Sequence, residues 1–277
     1  MAEQRTTQAI LELAPSVPFV ILDLAYHPSV LAWIYEEIEA RSPGSWRPLL
    51  FGTAFQERWQ MGPALVDLHN APGAQHALIN KYKDRFPGVF LANPSENLDE
   101  LAVWLQQFLF MSRGAQESLM RIYDGRVLGS FLSVLDQQQY NHFVPPEVSW
   151  YWQNGTQWWK TSSDSQAVKL DKPDAFTWHF RDSQVDEFTV ERNRAFINVL
   201  TEKYGKFTPS DTPSKYVDDA AKLAEAIGLD SKADIERVLR LLIQKKSQPD
   251  APFYSSLIKR VDLTTYQKLD AIENGAN

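Results

Sequence analysis

All nine tryptophans of this 277-residue chain lie before residue 183: Trp33, Trp46, Trp59, Trp104, Trp150, Trp152, Trp158, Trp159 and Trp178. Side chains that bury so much area dominate whatever core they enter. Their absence from residues 183–277 predicts two lobes of different architecture, 1–182 and 183–277. The break falls near Arg181–Gln184, with a further hinge at 207–213, where Pro209 and Pro213 interrupt any helix. Charge divides in the same way. Residues 1–182 carry 14 basic and 20 acidic side chains, and residues 183–277 carry 14 and 15.

Composition narrows the class. A 44% hydrophobic, 23% charged chain can bury a core. The net charge of −7 argues against a nucleic-acid partner, because binding phosphates needs a basic surface. The absence of cysteine removes disulfides, thiol catalysis, thiolate zinc sites and iron–sulfur clusters. Residues 1–14 contain Glu3, Arg5 and Glu12 and do not read as a secretory signal, and no apolar run is long enough to span a membrane. The expectation is a soluble cytoplasmic protein without membrane insertion.

The first lobe alternates strand and helix patterns. Phe19-Val-Ile-Leu22 is a continuous apolar run, as in a strand buried on both faces. Further strands are expected at Pro48–Phe51, Ala64–Leu68, Val89–Ala92 and Ser118–Tyr123. Helices are expected after Pro28 (Val30, Leu31, Ile34, Ile38) and after Ser95 (Leu98, Leu101, Ala102, Leu105), with Ser95 as cap. This order predicts an α/β fold with a largely parallel sheet and flanking helices. The second lobe reads as a smaller all-helical unit. Thr212-Pro213 opens a helix that Gly228 stops, Ser231 caps the next, and Leu257–Val261 and Tyr266–Ile272 form short closing helices.

A β-hairpin is signalled by Asn154-Gly155 between Val148–Gln153 and Thr156–Lys160. With those two residues as the loop, Trp150 faces Trp159 and Tyr151 faces Trp158. One face then shows Trp150, Trp152 and Trp159, and the other Tyr151 and Trp158. A hairpin apolar on both sides has two explanations. Either the fold covers both faces, or a partner covers one, with these five aromatics as its anchors.

No catalytic constellation is complete. Asp23 and Asp124 each follow an apolar segment and would share one rim of a parallel sheet, where α/β enzymes place their sites. There is no GxGxxG, Walker or GxSxG motif, so the simpler role is capping the helices that follow. Alternation in a strand puts Arg121 and Tyr123 on one face, and a buried guanidinium there needs a carboxylate such as Asp23 or Asp67. The enzymatic alternative is an Asp23/Asp124 site with Arg121 clamping an anionic small molecule. The five histidines form no HxxxH or HExxH pair, so neither metal nor cofactor is implied.

Four motifs in order carry a resemblance: Ile21-Leu-Asp-Leu-Ala25, Pro48-Leu-Leu-Phe-Gly-Thr53, Gly62-Pro63-Ala-Leu-Val66, and Leu119-Met-Arg121-Ile-Tyr123-Asp124-Gly-Arg126-Val-Leu128. Together with Ala224–Leu229 and its following helix, they resemble the type VI secretion effector adaptor and chaperone family. Gly125 departs from that pattern, which has proline there, and Pro145-Pro146 stands in place of Gly-Pro. The resemblance implies a non-enzymatic cytoplasmic protein that binds a cognate secreted effector and loads it onto a VgrG spike, with or without a PAAR tip.

Overall fold

The computed structural model describes residues 2–5, 18–71, 73–92, 97–113, 116–146, 148–155, 157–161 and 180–275, leaving aside the side chains of 2–5 and 112–117. The chain forms two compact units, Met1–Arg192 and Asn193–Asn277, so the division falls ten residues beyond the expected 182. The continuous helix Asp182–Tyr204 contains that division, which is why no turn signal marks it. The proline-bearing segment 207–213 lies inside the second unit rather than between the two.

The first unit is built on a seven-stranded sheet in the order β1 (Ala2–Arg5), β9 (Gln157–Thr161), β8 (Ser149–Asn154), β5 (Gly88–Ala92), β2 (Phe19–Asp23), β4 (Pro63–Asp67), β3 (Trp46–Pro48). Every pairing in it is antiparallel, which overturns the largely parallel sheet expected from sequence. The continuous apolar run did report burial on both faces, since all of β2 is buried. Two-sided burial, however, belongs to any sheet layered between helices, whatever its strand direction. A separate two-stranded sheet pairs β6 (Phe110–Arg113) with β7 (Gln116–Leu119).

Alternation along the strands divides two cores. Phe19, Ile21, Leu65, Val89, Leu91, Trp150 and Trp152 face one side. There they pack with α3 (Leu98–Gln106), α4 (Gly125–Ser133), α5 (Gln137–Phe143) and the start of α6 (Asp182–Tyr204). Val20, Leu22, Ala64, Val66, Phe90, Tyr151 and Trp158 face the other, against α1 (Pro28–Trp33), its π-helical continuation Ile34–Glu39, and α2 (Ala74–Lys81). The cap of α3 is Asn97, whose side chain accepts from the amides of Asp99 and Glu100. Ser95, the expected cap, lies outside the described residues.

The hairpin forms with its turn displaced by one residue. Asn154 pairs with Gln157, and Trp152 rather than Trp150 sits opposite Trp159. Gly155, with φ 62°, occupies the left-handed region that such a turn requires. Because the register moves by two residues in total, the face of every aromatic is preserved. Two other strands shift. The expected Pro48–Phe51 strand is Trp46–Pro48 followed by turns, and the expected Ser118–Tyr123 strand stops at Leu119.

Gly125, the departure from the family pattern, has a packing reason. A Cβ there would stand 2.2 Å from the Gln153 carbonyl oxygen, so only glycine lets α4 approach β8 this closely. Gln153 itself is buried, accepting from the Phe86 amide at 2.6 Å and donating to the Lys83 carbonyl at 3.0 Å.

The second unit holds the end of α6, then α7 (Pro213–Ala226), α8 (Lys232–Gln244), α9 (Pro252–Ile258) and α10 (Thr265–Asn274). Its core is aliphatic, with Tyr216 and Tyr254 as its fully buried aromatics, both hydrogen-bonded to Ser247. Gly228 (φ 90°) ends α7 and Ser231 caps α8, as expected. Val261 and Tyr266 were expected on buried stripes and are instead exposed: Val261 lies beyond the end of α9 at Ile258, and Tyr266 is on the outer face of α10, whose buried positions are Lys268, Leu269 and Ile272.

Candidate functional site

Arg121 is not on a strand. It lies in a turn closed by the Asp124 amide donating to the Arg121 carbonyl, and Met120, Ile122 and Tyr123 are all buried around it. The expected alternation of faces therefore fails, but the expected ion pair forms. Arg121 Nη2 donates to Asp23 Oδ2 at 2.5 Å and lies 3.8 Å from Asp124 Oδ2. Asp67, the other carboxylate considered, instead pairs with His69 Nδ1 at 2.7 Å.

Asp124 caps α4 as expected, accepting from the Arg126 amide, and it also receives the Arg126 guanidinium through Nε and Nη2. Asp23 is not a cap. His27 caps α1 by accepting from the Ser29 amide, while Asp23 takes the Ala25 amide and Arg121. Burial pushes the Asp23 carboxyl up, and the Arg121 charge only partly opposes it. Burial also acts to raise Asp124, but hydrogen bonds from Arg126 and its charge outweigh that and hold the group below the usual carboxylate range. Burial raises the Tyr123 phenol as well. Arg121 thus bridges two carboxylates and joins the end of β2 to the start of α4. Gly62 and Pro63, in a further motif, place β4 beside β2, with the Leu24 amide donating to the Gly62 carbonyl.

The sign of the Asp124 shift makes a prediction. A folded-state value below the unfolded one gives stability that is present above the ordinary value of 3.8 and is lost as pH falls through the folded value. Asp124→Asn keeps a capping oxygen and removes the charge, so it is expected to be less stable than the parent at neutral pH. The gap should narrow as pH falls below the ordinary carboxylate range and vanish once the folded-state group is protonated. Denaturant titrations across that range check it, and a gap independent of pH would mean that the charge plays no part.

The hairpin aromatics are core residues. Trp150, Tyr151, Trp152 and Trp158 are buried, split between the two sheet faces, and Trp159 is partly buried against the first core. The fold itself covers both faces.

A different aromatic group reaches the surface, at the β3 edge of the sheet. Tyr35, Trp46, Trp59 and Phe51 form a chain of rings with centroids 5.6, 6.0 and 5.7 Å apart. Tyr35 is 48% exposed, Phe51 51% and the nearby Met61 64%. Trp59 packs against both cores, so this edge is where the apolar layers above and below the sheet run out to solvent. Trp46 is held by its Nε1 donating to Glu39 Oε2 at 3.0 Å. Sequence reasoning counted Trp46 and Trp59 only as composition. The available signal was the segment Phe51–Met61, which carries Gly52 near its start and is followed by Gly62, too aromatic for a loop, where binding residues concentrate.

No helix among the described residues is long and apolar enough to cross a membrane, and no group of three or more metal-ligating side chains occurs among them. Residues 18–142 match the family model described as a domain of unknown function (DUF4123). That segment contains all four motifs of the resemblance and the whole aromatic edge. No curated protein and no solved structure matches the chain.

Proposed function

We propose that this protein is a cytoplasmic adaptor and chaperone that grips one type VI secretion effector and loads it onto a VgrG spike, with or without a PAAR tip. The observation that carries the reading is the ring chain Tyr35–Trp46–Trp59–Phe51 at the β3 edge, partly buried at its two tryptophans and exposed at Tyr35 and Phe51. Contiguous exposed aromatic surface marks interaction sites, and tryptophan and tyrosine are favoured anchors in them. The order of motifs through residues 21–128 supplies the kind of partner. Successive rings are turned by 84°, 43° and 70°, a relief suited to interdigitating with side chains rather than to the coplanar stacking of a sugar. The enzymatic alternative needs a carboxylate free to move a proton, whereas Asp23 and Asp124 are held by Arg121 and Arg126.

The test is a deletion of the gene in the bacterium that encodes it. Secretion of one effector should be lost while the spike is still secreted, and that effector should co-purify with the full chain. Unchanged secretion of every effector would overturn the reading.

A further inference from the structure

β3 is one edge of the seven-stranded sheet, and an open strand edge ordinarily invites an added strand. Here the main chain forbids it. The Asp67 amide donates to the Ser45 carbonyl and the Leu49 amide to the Pro63 carbonyl, so Ser45, Arg47 and Leu49 bond towards β4. In an antiparallel ladder that turns the main chain of Trp46 and Pro48 outwards. Pro48 has no amide hydrogen, and its carbonyl accepts from the Phe51 amide at 3.3 Å. The Trp46 carbonyl accepts from Arg47 Nη1 at 2.8 Å. Among the described residues only the Trp46 amide is left facing outwards without a partner, which is too little to start a ladder.

A partner at this edge therefore meets side chains, and their charge has a sign. On the segment 35–61, Arg41 is taken by Glu37 and Arg47 by Asp99, each pair at 2.6 Å. Glu39 accepts from the Trp46 indole and the Gly44 amide but meets no cation among the described residues. Glu36, next to Tyr35, and Glu57, two residues before Trp59, are exposed and likewise unpaired. Arg58 is the one opposing charge left over on that segment. The surroundings of the rings thus favour a cationic partner.

We infer that the β3 edge receives a basic amphipathic helix of the partner polypeptide, its apolar face laid on Tyr35, Phe51 and Met61. A helix brings its own hydrogen bonds and needs none from a strand edge. Its side chains three and four residues apart stand ~5–6 Å from one another. The ring chain steps by 5.6, 6.0 and 5.7 Å, so the two reliefs can interdigitate. Lysine or arginine flanking that face would meet Glu36 and Glu57. The inference rests on the adaptor reading for the partner being an effector.

The probes are two peptides of identical leucine and lysine content, one patterned with the helical period and one strictly alternating. Each is titrated calorimetrically into the full chain. The helical-period peptide is expected to bind and to gain helical circular dichroism in the difference spectrum, and the alternating one to bind about tenfold more weakly. Phe51→Ser with Met61→Ser is expected to weaken the helical-period peptide about tenfold, and Glu36→Gln with Glu57→Gln about threefold. Val261→Ser, at an exposed apolar side chain of the second unit, should change nothing. Melting curves confirm that each variant is folded. Any one of four results overturns the inference: no binding of the helical-period peptide, equal binding of the alternating one, indifference to the Phe51 and Met61 substitutions, or equal binding of a leucine–glutamate peptide of the same helical pattern. Effector capture through the β3 edge without binding of the helical-period peptide would sink this inference and leave the adaptor reading standing. Helical-peptide binding with unaltered effector secretion would do the reverse.

Discussion

Trp150→Ala is expected to destabilise the first unit by about 3–5 kcal/mol, with no partner present. Trp150 is 0% exposed and lies in β8, between β5 and β9. Its ring stacks on Phe143 with centroids 4.4 Å apart and planes within 16°, and it approaches Trp104 at 6.1 Å. Alanine leaves a hole walled by large rings, and rings fixed on separate helices cannot collapse into it, so most of the cavity term persists. The indole Nε1 also donates to the Phe143 carbonyl at 3.1 Å, and losing it orphans a buried acceptor. Urea unfolding followed by far-UV circular dichroism measures the loss. If Trp150→Ala were as stable as the parent yet failed to hold the effector, the hairpin would be a binding site after all. The protein would then have to open its own core to use it.

That experiment separates two readings that look identical in the sequence. Five aromatics in a hairpin announce a large buried area but not what buries it. Alternation assigned their faces correctly even with the turn misplaced, because a register change of two residues conserves parity. Strand direction had no comparable signal. Apolar runs such as Val20–Leu22 are the same in parallel and antiparallel sheets once helices cover both sides, so the parallel assignment rested on element order alone. The helical unit was more legible, since its caps at Ser231 and Gly228 are local chemistry that needs no knowledge of neighbours.

The candidate site was legible in part for a similar reason. Arg121 demands a carboxylate wherever it is placed, so Asp23 could be named as its partner although the supposed strand around Arg121 is a turn. The β3 edge was hidden more thoroughly. Tyr35 sits in a π-helical turn, Trp46 on a strand of only three residues, and Phe51 and Trp59 in turns and a 3-10 segment. No single periodicity links those four positions. Only the tertiary fold brings each ring within 6.0 Å of the next.

Phe51→Ser combined with Met61→Ser is expected to weaken effector binding by about 2 kcal/mol or more, roughly thirtyfold, while leaving the melting temperature of the free protein almost unchanged. Both side chains are more than half exposed, so the folded monomer loses little buried area when they are shortened. Trp59 would be the wrong residue to cut, since it supports both cores and its loss would mix stability with affinity. In a complex, Phe51 and Met61 would be fully desolvated against the partner, so their truncation acts on the bound state alone. An interface of ordinary size buries ~800 Å² on each side, and a few central anchors dominate its energy. Titration of the purified effector with the parent and the double variant gives the comparison. Equal affinities would remove the β3 edge from the interface.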